Sequence, residues 1–301
     1  MYPVQLRALV AGVVLALAAY SPAIAQSIVV GGKGFTEQLL MAEMTSQLLR
    51  AKGFEVTSRV GFATTGIRRE QEIGLVDIYW EYTGTSLTMF NMVVERLESH
   101  DAYARVKELD AKKGLIWLSP SKVNNTYALA MRQADAAARG IASISDLAAK
   151  VRRGERFRLA SNLEFYLRSD GLTPLQQTYG FDFGPGNVVR METGAIYGAL
   201  RDSADLDVAL VFSTDGRVAA FGFHLLRDDR GFFPGYILAP VVRRRMLERH
   251  PEIATHLSAL SAKLDNAAIA RLNAKVDLQK MTVEEAASMF LKEFLKESGL
   301  L

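Results

Sequence analysis

SIVVGGKGF at 27–35, TEQLLMAEMTSQLLRAKG at 36–53, FEVTSRV at 54–60, TTGIRREQEIG at 64–74 and VDIYW at 76–80 decide the fold when read together. The first, third and fifth are short runs rich in β-branched or aromatic residues, which read as strands. The second carries Leu39, Leu40, Met44, Leu48 and Leu49 on one helical stripe and stops at Gly53. Strand, helix, strand, helix, strand predicts an α/β layer built on a largely parallel sheet. In such sheets ligands sit at the carboxyl ends of the strands, where the loops open into a crevice. At that end the chain reads DIYWEYTGT (77–85), and it crowds Tyr79, Trp80 and Tyr82 where the backbone should emerge.

The same alternation restarts after a helical stretch near 101–113. NNTYALAMR (124–132) reads as a strand, SISDLAAKVRRG (143–154) as a capped helix, and FRLAS (157–161) as a strand. GLTPLQQTYG (171–180) is helical, followed by NVVRME (187–192), the helix TGAIYGALRDS (193–203) and the strand DVALVF (207–212). Two α/β units predict two lobes. The tail TVEEAASMFLKEFLKESG (282–299) is helical, with a capping box from Thr282 and Glu285 and an i,i+4 pair, Phe290 and Phe294. No Pro-rich linker separates the units, so the chain is expected to cross between lobes more than once.

The 301 residues are 49% hydrophobic and 23% charged, an ordinary globular balance. Against 33 acidic residues stand 36 basic ones, which supplies neither a stripe for nucleic acid nor a polybasic membrane tail. Residues 1–25 have the pattern of a cleavable signal peptide: Arg7, an apolar run from Ala8 to Ala19, and Ala23-Ile24-Ala25 before Gln26. That run is shorter than the ~20 residues a membrane span needs. With no cysteine there is no lipid attachment site at the cleavage point and no disulfide. The expected product is an exported, soluble, periplasmic monomer held together by its own core.

Enzyme motifs fail. G-x-S-x-G, H-E-x-x-H and a cysteine nucleophile are all missing. GGKGF (31–35) lacks the remaining residues of a phosphate loop, and SPSK (119–122) lacks the motifs that accompany a serine acylase. His250 and His256 are six apart and do not share a helix face, so no metal is expected. What remains is a set of aromatics near element ends: Tyr82, Tyr127, Tyr197 and Phe212. A quaternary ammonium has no N–H to grip, but aromatic faces can hold it, at about 0.5–2 kcal/mol per ring. Lys33 and Arg168 lie at strand exits, apart from any obvious run of opposite charge, and could receive a carboxylate. A cage with a carboxylate clamp describes a betaine.

The chain resembles the substrate-binding proteins of osmoprotectant ABC importers, which bind glycine betaine, choline and related compounds. The resemblance rests on VVGGKGFTEQLLMAEM, VDIYWEYTGT, NNTYALAM, FYLRSDGL, YGALRDSADLDVALVFSTDGRV and LLRDDRGFFPGY, spread in order over the mature chain. It implies a two-lobed periplasmic-binding-protein fold of type II with the ligand in the inter-lobe cleft. Lobe 1 would hold 26–124 and 225–301, and lobe 2 would hold 125–224. It further implies Lys33 as the family's lysine after the first strand, Tyr82, Tyr127, Tyr197 and Phe212 as the cage, and Thr85 and Arg168 on the carboxylate. Two positions depart from the family: Phe212 replaces a tyrosine, and Ser169 replaces the proline of Arg-Pro-Asp-Gly. The implied partners are a betaine-type ligand and the permease and ATPase of an importer, with no cofactor. A zwitterion is favoured over choline, since choline would leave the clamp unpaired.

Rival readings differ in chemistry. A porphyrin-synthesis deaminase of the same two-lobe fold would need a cysteine for its cofactor. An amino-acid-binding protein would need an acidic partner for the ligand's ammonium. A ligand sensor would use the same closed lobes.

Overall fold

The computed structural model describes residues 27–297 apart from 94 and 96. The expected signal segment, 1–25, lies outside them. The first lobe opens with strand β1 (Ile28–Lys33), helix α1 (Thr36–Ala51), β2 (Val56–Phe62), α2 (Thr64–Ile73) and β3 (Ile78–Tyr82). A helical turn (Thr83–Thr85) and a π-turn (Ser86–Phe90) follow, then α3 (Ser99–Ala111) and β4 (Leu115–Trp117). The second lobe contains β5 (Tyr127–Arg132), α4 (Gln133–Arg139), α5 (Ile144–Arg152), β6 (Leu159–Ser161), α6 (Leu163–Leu167) and α7 (Leu172–Tyr179). It continues through β7 (Val188–Arg190), α8 (Thr193–Asp202), β8 (Val208–Phe212), α9 (Gly216–Ala220) and β9 (Phe223–Leu225). The chain then returns through β10 (Leu238–Arg243), α10 (Arg244–Arg249), α11 (Glu252–Ala262), α12 (Asn266–Asp277) and α13 (Val283–Glu297).

Among the described residues two five-stranded sheets result, ordered β2-β1-β3-β10-β4 and β7-β6-β8-β5-β9. Neither is largely parallel, contrary to expectation. β1 is parallel to β2 and β3, and β6 to β7 and β8. β10 runs antiparallel to β3 and β4, and β5 antiparallel to β8 and β9. The reason is topological. β5 and β10 are the strands that follow a passage between lobes, so each enters its sheet from the opposite end. β4 and β9 went unread in the sequence.

The two passages lie side by side. Asn124 bridges Ile237 antiparallel, the Asn125 N–H donates to the Tyr236 carbonyl at 3.1 Å, and the Leu238 N–H donates to Val123 at 3.0 Å. The return lies at 234–237 rather than at 225. Residues beyond 225 still bond within the second lobe: Leu226 N–H donates to the Leu129 carbonyl, and Asp228 accepts from the Tyr179 hydroxyl. A turn so anchored carries the chain some ten residues further before it crosses.

Every residue of β3 is buried, because α-helices cover both faces of its sheet. α13 closes the first lobe. Its capping box forms as read, with Glu285 N–H donating to Thr282 Oγ1 at 3.1 Å and Thr282 N–H to Glu285 Oε2 at 2.9 Å. Leu291 and Phe294 then join Leu40, Met44 and Leu48 of α1 in one core cluster. α12 reaches both lobes: Asp277 accepts from Thr36 at 2.7 Å, and Asn273 donates to the Thr214 carbonyl at 3.1 Å.

Candidate functional site

Strand ends from both lobes surround one cavity of about 830 Å³. From the first lobe come Lys33 at the end of β1, Phe35 before α1, Tyr82 at the end of β3 and Thr85 in the turn after it. From the second come Tyr127 at the start of β5, Arg168 after α6 and Phe212 at the end of β8. Asn125 and Tyr236, one on each passage, complete the floor. Apart from Tyr197, the expected residues are therefore brought together.

The rings form a continuous array. Phe35 stacks on Phe212 at 5.3 Å and 17°, and on Tyr82 at 6.5 Å and 21°. Tyr127 lies 5.0 Å from Phe212 and meets Tyr236 edge-on at 5.7 Å and 89°. Phe35 and Tyr236 were missed in the sequence. Tyr236 closes the quoted stretch LLRDDRGFFPGY, so its signal was present, but no spacing tied it to Tyr127. Its ring needs Gly84: a Cβ there would meet it at 2.9 Å.

Tyr197 is elsewhere. It is fully buried in the second lobe among Ile196, Leu200 and Val211, and the guanidinium of Arg217 lies 4.0 Å over its ring. Its hydroxyl accepts the Phe212 N–H at 3.0 Å, which makes it the support behind a cleft residue. The helical period puts Tyr197 on the stripe of Ile196 and Leu200, and that signal points to the core.

Tyr82 is held from behind. Its hydroxyl donates to Glu37 at 2.7 Å and accepts from Gln38 at 3.1 Å. Glu37 also accepts from Asn125 at 3.0 Å and Thr214 at 2.6 Å, so this single carboxylate joins first lobe, passage and second lobe. Burial pushes the Glu37 carboxyl above the usual range, against the pull of these donors. Burial, then Glu37, pushes the Tyr82 phenol up. Earlier in β3, Tyr79 donates to Glu81 at 3.0 Å and Trp80 to Thr45 at 2.8 Å, both rings buried.

The two cations do not stand apart from opposite charge. Lys33 Nζ lies 2.6 Å from Glu81 and 4.9 Å over the Tyr82 ring. Arg168 forks onto Asp170 through Nε and Nη2, both at 2.7 Å, reaches Glu164 at 3.2 Å, and lies 5.7 Å over the Tyr127 ring. Glu81 is distant in sequence from Lys33 and meets it only because β1 and β3 are neighbours. Burial works against the Arg168 charge, and the Asp170 hydrogen bonds overcome it, so its pKa is raised. Thr85 is buried at the wall, in a turn fixed by Thr83 Oγ1, which donates to the Gly235 carbonyl at 2.9 Å. Among the described residues no group of three or more His, Asp or Glu could hold a metal ion.

A family model for the substrate-binding domain of ABC-type glycine betaine transport systems matches residues 26–293. A glycine-betaine-binding protein of Pseudomonas aeruginosa is 40% identical over 275 residues, covering 89% of this chain and 88% of that one. The glycine betaine-binding protein YehZ of Escherichia coli is 33% identical over 293 residues, covering 95% and 94%. Its solved apo form superposes with a TM-score of 0.66 over 89% of this chain and 99% of that one, at 32% identity. A solved glycine betaine/carnitine/choline ABC transporter protein superposes with a TM-score of 0.72 at 27% identity, covering 89% and 98%.

Proposed function

Since the chain belongs to the family of substrate-binding domains of ABC-type glycine betaine transport systems, we propose that it captures a betaine-type quaternary ammonium between its lobes. The loaded protein delivers that solute to the permease of an ABC importer, which its ATPase drives. The family is one of solute-binding receptors, not enzymes. The observation that carries the reading is the ring array of Phe35, Tyr82, Tyr127, Phe212 and Tyr236 around one cleft. A trimethylammonium group has no N–H to donate, and aromatic faces are the side-chain surface that attracts it. Lys33, Thr85 and Arg168 form the polar end, where a carboxylate would lie. Tyr197 acts from behind Phe212 rather than on the ligand. The passages at 121–126 and 234–237 act as the hinge.

The N-terminal pattern supports export to the periplasm with loss of residues 1–25, and the protein acts as a monomer. Among the described residues no helix is long and apolar enough to cross a membrane. Intact-mass measurement of periplasmic protein is expected to show a chain starting at Gln26.

Glu164 and Glu192 also line the cavity, and either could serve the ammonium of an amino acid. The deciding experiment is calorimetric titration of the ligand-stripped mature protein with glycine betaine, proline betaine, carnitine, choline and proline. Binding of the quaternary amines with proline silent is expected. Proline bound more tightly than every quaternary amine would replace the reading with an amino-acid receptor.

A further inference from the structure

We propose that Asp170 is a specificity-determining residue of this cleft: its carboxylate fills the fork of Arg168 and so limits what a ligand's carboxylate gains there. The proposal rests on the quaternary-ammonium reading above. Arg168 lines the cavity and is 6% exposed. Its Nε and Nη2 both donate to Asp170, the bidentate geometry that a ligand carboxylate would itself seek. Nη1 donates to Glu164 at 3.2 Å. An incoming carboxylate must therefore share the remaining N–H edge or displace an internal partner that is already well placed.

The pairing is built into the loop. Asp170 is two residues from Arg168, and the Gly171 N–H donates back to the Arg168 carbonyl at 3.1 Å. Gly171 permits this turn, because a Cβ there would stand 2.0 Å from the Phe165 carbonyl oxygen. Asp170 has a second partner from the other lobe: Thr88 Oγ1 donates to its Oδ2 at 2.6 Å. Lobe closure thus gives Asp170 a donor whether or not the ligand carries a carboxylate. A quaternary cation without a carboxylate leaves Arg168 paired rather than stranded, so little penalises it. Two carboxylates around one guanidinium also leave a net negative charge near the rings, which favours a cation.

Calorimetric titration with glycine betaine and choline tests this in Asp170→Asn, which keeps the size and removes the charge. The ratio of betaine to choline affinity is expected to rise by roughly tenfold, the scale of one charge-assisted hydrogen bond. An unchanged or lower ratio overturns the proposal. Should the Asn variant melt early, Asp170→Ser must show the same rise, and its failure to do so counts equally against the proposal. Thr88→Val removes the contact between lobes together with a bond to the Gly84 carbonyl inside the first lobe, and leaves the Arg168–Asp170 pair intact, so both ligands should weaken by the same factor. A ratio that rises there as it does in Asp170→Asn would assign the effect to closure and overturn competition. Wild-type protein that binds neither ligand overturns the functional reading and this proposal with it, whereas ligands bound at an unmoved ratio overturn this proposal alone.

Discussion

Tyr197 stands on α8 in the second lobe, and Tyr236 stands on the returning passage between the lobes; both are almost fully shielded from solvent. Their surroundings differ in kind. Tyr197 is enclosed by apolar side chains and the Arg217 guanidinium of one lobe, its hydroxyl taken by a backbone N–H. Tyr236 packs over Gly84 of the first lobe and edge-on to Tyr127 of the second, at the floor of the cleft. Low exposure therefore does not separate a core ring from a cleft ring. What separates them is whether the neighbours belong to one lobe or to two.

Substitutions at the two positions should move different observables. Tyr197→Ala leaves a ring-sized void in the second-lobe core and should lower stability by about 3–5 kcal/mol, measured by chemical unfolding. Betaine affinity per folded molecule should fall far less. A stable Tyr197→Ala protein that no longer binds would place this ring in the cage and break the comparison. Tyr236→Leu should do the reverse, weakening betaine by about 0.5–2 kcal/mol in calorimetry with a smaller loss of stability. Arg168→Ala should lower betaine relative to choline in the same assay, since it removes the guanidinium proposed to meet the ligand's carboxylate.

Tyr82 sharpens the comparison, being a cleft ring tethered to the buried carboxylate of Glu37. Burial raises the folded-state pKa of Glu37, so the folded protein holds a proton that the unfolded chain releases. The sign follows: this contribution to stability is present below the ordinary carboxylate value and is lost as pH rises through the raised one. Glu37→Gln should flatten that part of the stability–pH profile. Phe212→Tyr carries the smallest expected effect. The ring already faces the cleft, and affinity should be unchanged or slightly improved by the added polar edge.

Much of this was legible in the sequence, for local reasons. Alternating strand and helix patterns placed β1–β3 and β5–β8, and the Thr282–Glu285 capping box formed where its spacing put it. The concentration of aromatics near element ends marked Tyr82 and Phe212, the last residues of β3 and β8, and Tyr127, the first residue of β5, which reaches the same edge because β5 runs antiparallel to β8. Tertiary structure alone decided the rest. Sheet direction after each passage depends on which end a returning strand enters. The ion pairs Lys33–Glu81 and Arg168–Asp170 depend on strand neighbours and on a turn conformation, so side chains that look free in the sequence are already paired. Tyr236 and Phe35 became cleft rings only when two passages and two lobes converged. A ring's periodicity tells which side of its own element it occupies, but what lies on that side is set by contacts between residues far apart in the chain.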